Sequence, residues 1–263
     1  MKPVFTKLPE KTNPMKLSVP RLIALFLIAC TPLMMAGKKA SLPVDVVSYE
    51  KAFKFTPGLS IAHSISTTDK LYAGAHLENY GVTRGVFEMA LKGFNKLHQQ
   101  GVLSSDSILT IVDFSKSSRL KRMVVIDLKT LEVLFNTVVA HGRNTGQEFA
   151  RSFSNQPRSH KSSLGFYVTK GTYHGGNGYS LKLDGFEKGI NDKALERAIV
   201  MHAADYANEE VIGSKGFLGR SYGCPAVPQK ISKKIIDKIK NGNCLFVYFP
   251  DQKYINSSKL LNG

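Results

Sequence analysis

Between Ile108 and Phe249 the chain carries a series of short β-branched and aromatic runs, and these restrict its fold more than any other feature. They are Ile108–Asp113, Met123–Asp127, Leu131–Ala140, Leu164–Thr169, Ala198–His202 and Leu245–Phe249. Runs this short satisfy their backbone groups only by pairing with one another. Asp127-Leu128-Lys129-Thr130 separates the second and third with turn chemistry, which predicts a hairpin and makes Asp127 a turn residue rather than an acid catalyst. Two segments have the helical period instead. Val86, Phe87, Ala90, Leu91, Phe94 and Leu97 follow three-and-four spacing, with Thr83 as cap and Gly101 as stop. Ile231, Ile235, Ile236 and Ile239 do the same before Gly242. The expected class is mainly β (α+β), with one flanking helix on the N-terminal side and one on the C-terminal side.

Ahead of this region lies a segment with the marks of export. Lys16 and Arg21 precede the apolar run Leu22–Ala29, which is short for a membrane span. Two processing sites compete: Leu27-Ile28-Ala29-Cys30 has the form of a lipoprotein box, and Met34-Met35-Ala36 that of a simple cleavage site. The second is preferred because the apolar stretch runs on through Met35, and Met15 is a candidate start. The expected organisation is a signal peptide over 1–36, a linker and helical extension over 37–104, the main domain over 105–250 and a tail over 251–263. The net charge of +16 is not a property of the signal, whose charges sum to +4 and leave +12 (16 − 4) on the remainder. A basic surface favours an anionic envelope. No basic run is interleaved with aromatics, so nucleic acid is not an expected partner.

The chemistry concentrates in Gly219-Arg220-Ser221-Tyr222-Gly223-Cys224-Pro225-Ala226-Val227. Glycine before and proline after Cys224 put the thiol on a bend. His202 closes an apolar run upstream, and an imidazole can turn a thiol into the nucleophilic thiolate. The opposing structural possibility is a Cys224–Cys244 disulfide, since an oxidising compartment favours pairing. Cys244 sits in an apolar strand-like run, which reads better as a buried free thiol. His141–Gly146 follows a strand directly and is expected at the rim of a site. Tyr173–Ser180 is glycine-rich without phosphate-loop spacing and reads as a mobile loop over the cleft, with His174 a candidate substrate contact. No Cys-x-x-Cys or His-Glu-x-x-His occurs, and His63 and His76 have no metal-ligand spacing, so neither metal nor cofactor is expected.

Ser221-Tyr222-Gly223-Cys224 resembles the Ser/Thr-His-Gly-Cys signature of the L,D-transpeptidases, the YkuD-type enzymes that cross-link bacterial peptidoglycan. Val139–Asn144, Ser162–Tyr167, Arg197–His202 and Gly219–Val227 together resemble the murein L,D-transpeptidase catalytic domain proteins, over roughly residues 80–250. The resemblance implies a β-sandwich or barrel, a Cys224–His202 catalytic pair, and peptidoglycan stem peptides as partners. It also implies a thioacyl-enzyme, an oxyanion facing the N–H groups of Tyr222, Gly223 and Cys224, and a backbone carbonyl near Ser221 that orients the imidazole. Membrane contact is expected only through a lipid anchor at Cys30. Two departures stand out. Tyr222 replaces the signature histidine, and Pro225-Ala226 replaces an aliphatic residue followed by a substrate-positioning arginine. Arg220 or Arg143 is the expected replacement charge. The alternatives are an L,D-carboxypeptidase or another cysteine peptidase or amidase of the wall, and a non-catalytic wall-binding protein of the same fold.

Overall fold

The computed structural model describes residues 66–263. The export segment, Cys30 and the linker through residue 65 lie outside the described residues.

The predicted amphipathic helix is α2, Arg84–Gln99, after a short α1, Thr67–Gly74. Thr83 Oγ1 accepts the Val86 N–H, and the stripe of Val86, Phe87, Ala90, Leu91, Phe94 and Leu97 is buried. Gly93 lets this helix press onto the sheet, for a Cβ there would lie 2.1 Å from the Phe166 ring. The stripe enters the same core as the strands.

Eight strands form one sheet: β1 Ile108–Asp113, β2 Met123–Asp127, β3 Glu132–Thr137, β4 Gly165–Gly175, β5 Gly178–Gly185, β6 Val200–Ala203, β7 Ala226–Val227 and β8 Cys244–Tyr248. Their order is β3-β2-β1-β8-β4-β5-β6-β7. β1 pairs in parallel with β8 and β6 with β7; the other pairs are antiparallel. Beyond β3 the chain returns to the far edge, where Ala140 bridges Ala226 of β7, so the sheet curls most of the way to a barrel. The fold is mainly β with helices at its margins.

Three segments differ from the sequence reading. The expected loop over Tyr173–Ser180 is a hairpin, with Tyr173 paired to Ser180 and His174 to Tyr179. Its glycines serve a two-residue turn at Gly176-Asn177, and ladder bonding overrides their weak strand preference. The expected loop 203–218 contains α3, Glu209–Lys215, capped by Asn208 and ended by Gly216 at φ +81. The expected tail forms α5, Gln252–Ser257, and α6, Lys259–Asn262, after α4, Gln229–Ile239. Asp251 and Ser258 cap the two short helices, and Tyr254, Leu260 and Leu261 carry them into the core.

Candidate functional site

Parallel pairing of β6 and β7 sets Ala226 opposite His202. Cys224, two residues earlier, therefore lies beside Val200, one pleat before His202. The Val200 N–H points at Sγ from 3.5 Å, and the thiol in turn donates to the Ala198 carbonyl at 3.7 Å. The bend that puts it there depends on Gly223, whose φ is +123. Ser221 braces both sides of that glycine: its Oγ accepts the Gly223 N–H at 3.0 Å and donates to the Cys224 carbonyl at 2.6 Å. Ser162 adds a cross-brace, donating to the Gly223 carbonyl at 3.0 Å and accepting from the Gly142 N–H at 3.1 Å. With Gly223 committed to Ser221, the N–H groups of Tyr222 and Cys224 are the ones without a hydrogen-bond acceptor among the described residues.

His202 is buried on β6, and its Nδ1 is 2.7 Å from the Ala203 carbonyl. A carbonyl acceptor fixes the proton on Nδ1 and leaves the Nε2 lone pair free. The orienting carbonyl thus comes from the next residue of the strand, not from the Ser221 region. Burial holds the imidazole below its ordinary range. Burial also pushes the Cys224 thiol up, against the Val200 N–H and the nearby Arg197 guanidinium, which lower it. The resting site therefore holds a neutral thiol on the bend before β7 and a neutral imidazole on β6, not hydrogen-bonded to one another. Both Cys224 and Cys244 are free, and Cys244 is fully buried in the core as its apolar run predicts.

The rim is a basic loop system. His141 is 1% exposed; its backbone carbonyl accepts the Ser221 N–H at 3.0 Å, so it supports the elbow from within rather than facing the cleft. Its Nδ1 accepts from Arg122 at 2.8 Å, and burial with that adjacent cation holds its pKa down to about 3. Arg122 is itself fully buried, donating to the carbonyls of Lys116 and Val139 and lying over the Phe114 ring. Arg220 donates to the carbonyls of Arg143 and Gly146, and the Arg143 guanidinium lies 5.6 Å from the Tyr222 ring centre. Tyr222 is 64% exposed and meets the His160 ring edge-on at 4.6 Å. His174 falls elsewhere. Tyr173, Ser180 and His202 are successive partners across three strands and share a face, so His174 and Tyr179 lie on the opposite one.

Two hollows are lined by residues that neighbour Cys224, without Cys224 itself in either wall. One of about 520 Å³ is lined by Lys170, Tyr173, Lys182, Leu195 and the Ala198–Val200 segment that holds Sγ. The other, about 250 Å³, is lined by Arg158, His160, Arg197 and Tyr222. A larger cavity of about 680 Å³ lies between α3 and the start of α4. Among the described residues no cluster of three or more His, Cys, Asp and Glu side chains is placed to hold a metal, and no helix is long and apolar enough to cross a membrane. Arg122, Ser162 and Arg197 escape a reading by motif, since each acts across long sequence separations. Ser162 and Arg197 lie in segments that the family resemblance singles out, and Arg122 does not.

No curated protein matches the chain. Among solved structures it is similar to an L,D-transpeptidase from Mycobacterium smegmatis at 12% identity and a TM-score of 0.35, covering 54% of this chain and 59% of that one. The L,D-transpeptidase from Stackebrandtia nassauensis matches at 14% identity and 0.33, covering 64% and 68%. The helical cell shape determining protein Pgp2 from Campylobacter jejuni matches at 11% identity and 0.38, covering 65% and 58%. This chain spans about six tenths of the length of the first of them. The sequence pattern described as L,D-transpeptidase catalytic domain, YkuD_2, matches residues 78–248, from the turn ahead of α2 to the end of β8. The chain belongs to the YkuD-type L,D-transpeptidase catalytic domain family.

Proposed function

We propose that this chain is an exported peptidoglycan L,D-transpeptidase with Cys224 as nucleophile and His202 as its base. One arrangement supports the reading above the rest. A thiol stands on a glycine bend, one pleat from a buried neutral histidine and beside two unpartnered N–H groups. His202 Nε2 takes the thiol proton as Sγ attacks the carbonyl between an L-centred diamino acid and a terminal D-alanine. The N–H groups of Tyr222 and Cys224 face the oxygen that becomes negative; a donor of this kind is worth about 10²–10³ in rate. When the C–N bond breaks, His202 returns the proton to the departing amine and the acyl group stays on Sγ as a thioester. The amine of a second stem peptide attacks that thioester, His202 accepts its proton, and the thiol is regenerated as the new amide forms. Hydrogen bonds in such pairs are often loose before substrate binds, which fits the present Sγ–Ala198 contact.

The basic segment and short apolar run before Ala36 support export, and cleavage there releases the domain into the envelope. Processing at Cys30 instead tethers it to a membrane by lipid.

The test is turnover of a tetrapeptide stem with a second stem bearing a free amine, followed by mass spectrometry. Wild type gives a cross-linked product and free D-alanine, and both vanish in Cys224→Ala. Release of D-alanine without cross-link assigns a carboxypeptidase instead, and equal turnover by Cys224→Ala overturns the nucleophile.

A further inference from the structure

The hollow lined by Arg158, His160, Arg197 and Tyr222 has no place in the chemistry above. No carboxylate lines it, and none of Arg143, Arg158, Arg197 and Arg220 forms an ion pair among the described residues. Arg197 is half-buried and spends its Nη atoms holding the loop. Nη1 donates to the Ser154 carbonyl and Ser163 Oγ, and Nη2 to the Lys161 carbonyl and Ser159 Oγ. That loop is further fastened by Asn144 Nδ2, which donates to the Ser159 carbonyl at 2.9 Å. So braced, it presents Arg158 and His160 from left-handed backbone, at φ 59 and 54. The Arg158 guanidinium, the His160 ring nitrogens and the Tyr222 hydroxyl have no hydrogen-bond partner among the described residues. The hollow therefore offers positive charge and open donors on a rigid wall, which is the chemistry that takes a carboxylate.

Its position says which carboxylate. Arg197 Nη2 lies 3.4 Å from where a Cβ on Gly223 would be, and Tyr222 adjoins the same glycine, so the hollow begins one residue from the nucleophile. In a donor peptide the carboxylate of the departing residue is only three bonds from the carbonyl carbon under attack. We propose that Arg158, His160, Arg197 and Tyr222 form the subsite for the free C-terminal carboxylate of the acyl donor, an inference that rests on the transpeptidase reading. The subsite supplies the charge that the wider family places two residues after its cysteine, where this chain has Ala226. It also differs from the two arginines that the sequence favours for that purpose. Arg220 is tied to the carbonyls of Arg143 and Gly146, and Arg143, which lies 5.6 Å from the Tyr222 ring centre, does not line the hollow.

The test separates the subsite from the reaction. Cys224 of the whole protein is alkylated with iodoacetate and, separately, with neutral iodoacetamide; the thiolate displaces iodide from each. The ratio of the two rates reports an anion site beside the thiol and needs no turnover. The expected ratio falls about threefold to tenfold in Arg158→Gln and in His160→Gln, and falls with added salt. Lys253→Gln, a single charge removed on α5, leaves it unchanged. In parallel, the free-acid donor is compared with its C-terminal amide: wild type prefers the acid through KM, and Arg158→Gln loses that preference. A ratio unmoved by either substitution overturns the subsite whatever the enzyme does. A ratio that responds while acid and amide donors react equally overturns its assignment to the terminal carboxylate. A ratio that responds in a protein that turns over no donor supports the anion site and overturns the transpeptidase reading on which the donor assignment depends.

Discussion

Gly223→Ala tests the bend on which the site depends. Gly223 has φ +123, where an L-residue is strained by about 1–3 kcal/mol. Its new Cβ would lie 2.8 Å from the Lys161 carbonyl oxygen, 3.1 Å from Ile199 Cδ1 and 3.4 Å from Arg197 Nη2. The two side chains can give way, but the Lys161 carbonyl is held by Arg197 at 2.6 Å. Strain and crowding together come to roughly 2–4 kcal/mol. At about 2–4 °C per kcal/mol for a domain of this size, the melting temperature falls by roughly 4–16 °C. Gly171→Ala is the control, because its Cβ meets nothing within 4 Å and its φ is not left-handed. Calorimetry measures the fall, and alkylation of Cys224 by iodoacetamide measures the displaced thiol. Melting within 2 °C of the control, with an unchanged alkylation rate, would refute the argument that Gly223 shapes the elbow.

Other expectations follow from the buried groups. His141, at about 3 when folded against 6.5 unfolded, binds fewer protons in the native state between those values. Stability therefore falls as pH drops through that window, by roughly 1.4 kcal/mol per unit, and urea unfolding of His141→Gln shows a shallower slope. Arg122→Met strips the Val139 and Lys116 carbonyls and His141 Nδ1 of their donor, and costs on the order of 3 kcal/mol in denaturant titration. The same change removes the second cause of the His141 shift, so its imidazole titrates at higher pH by NMR. Burial drives the Cys244 thiol far up, so peptide mapping after native alkylation finds Cys224 labelled and Cys244 protected until the fold is melted.

How much of this could be read from the chain depended on how local each feature is. The α2 stripe was legible because six apolar residues at helical spacing dictate one buried face whatever they meet. The β4–β5 hairpin was not, because Gly175, Gly176 and Gly178 favour a loop locally and only pairing with neighbours makes Gly175 and Gly178 strand ends. The closing helices were missed because six and four residues are too few to show a period; their caps at Asp251 and Ser258 were the available signal. At the site, motif order alone anticipated that Cys224 and His202 would occupy neighbouring segments, and the pairing of β6 with β7 sets the bend that carries Cys224 beside the strand that carries His202. The braces behind them join residues far apart in sequence: Ser162 to Gly223, Arg122 to His141, Arg197 to the loop before β4. Nothing local marks such pairings. Arg143 and Arg220 stood closest to the motif, while Arg158, which lines the hollow beside Tyr222, comes from a segment legible only as a polar loop.

The most direct test of the account is the mass of the intact protein after exposure to a tetrapeptide donor with no amine acceptor, beside Cys224→Ala. The account predicts that wild type gains the donor acyl group on Cys224, located by peptide mapping and released by hydroxylamine as a thioester is, and that the variant gains nothing. An adduct that persists in Cys224→Ala, or a wild type that releases D-alanine without any acyl-enzyme even on rapid quenching, would contradict it.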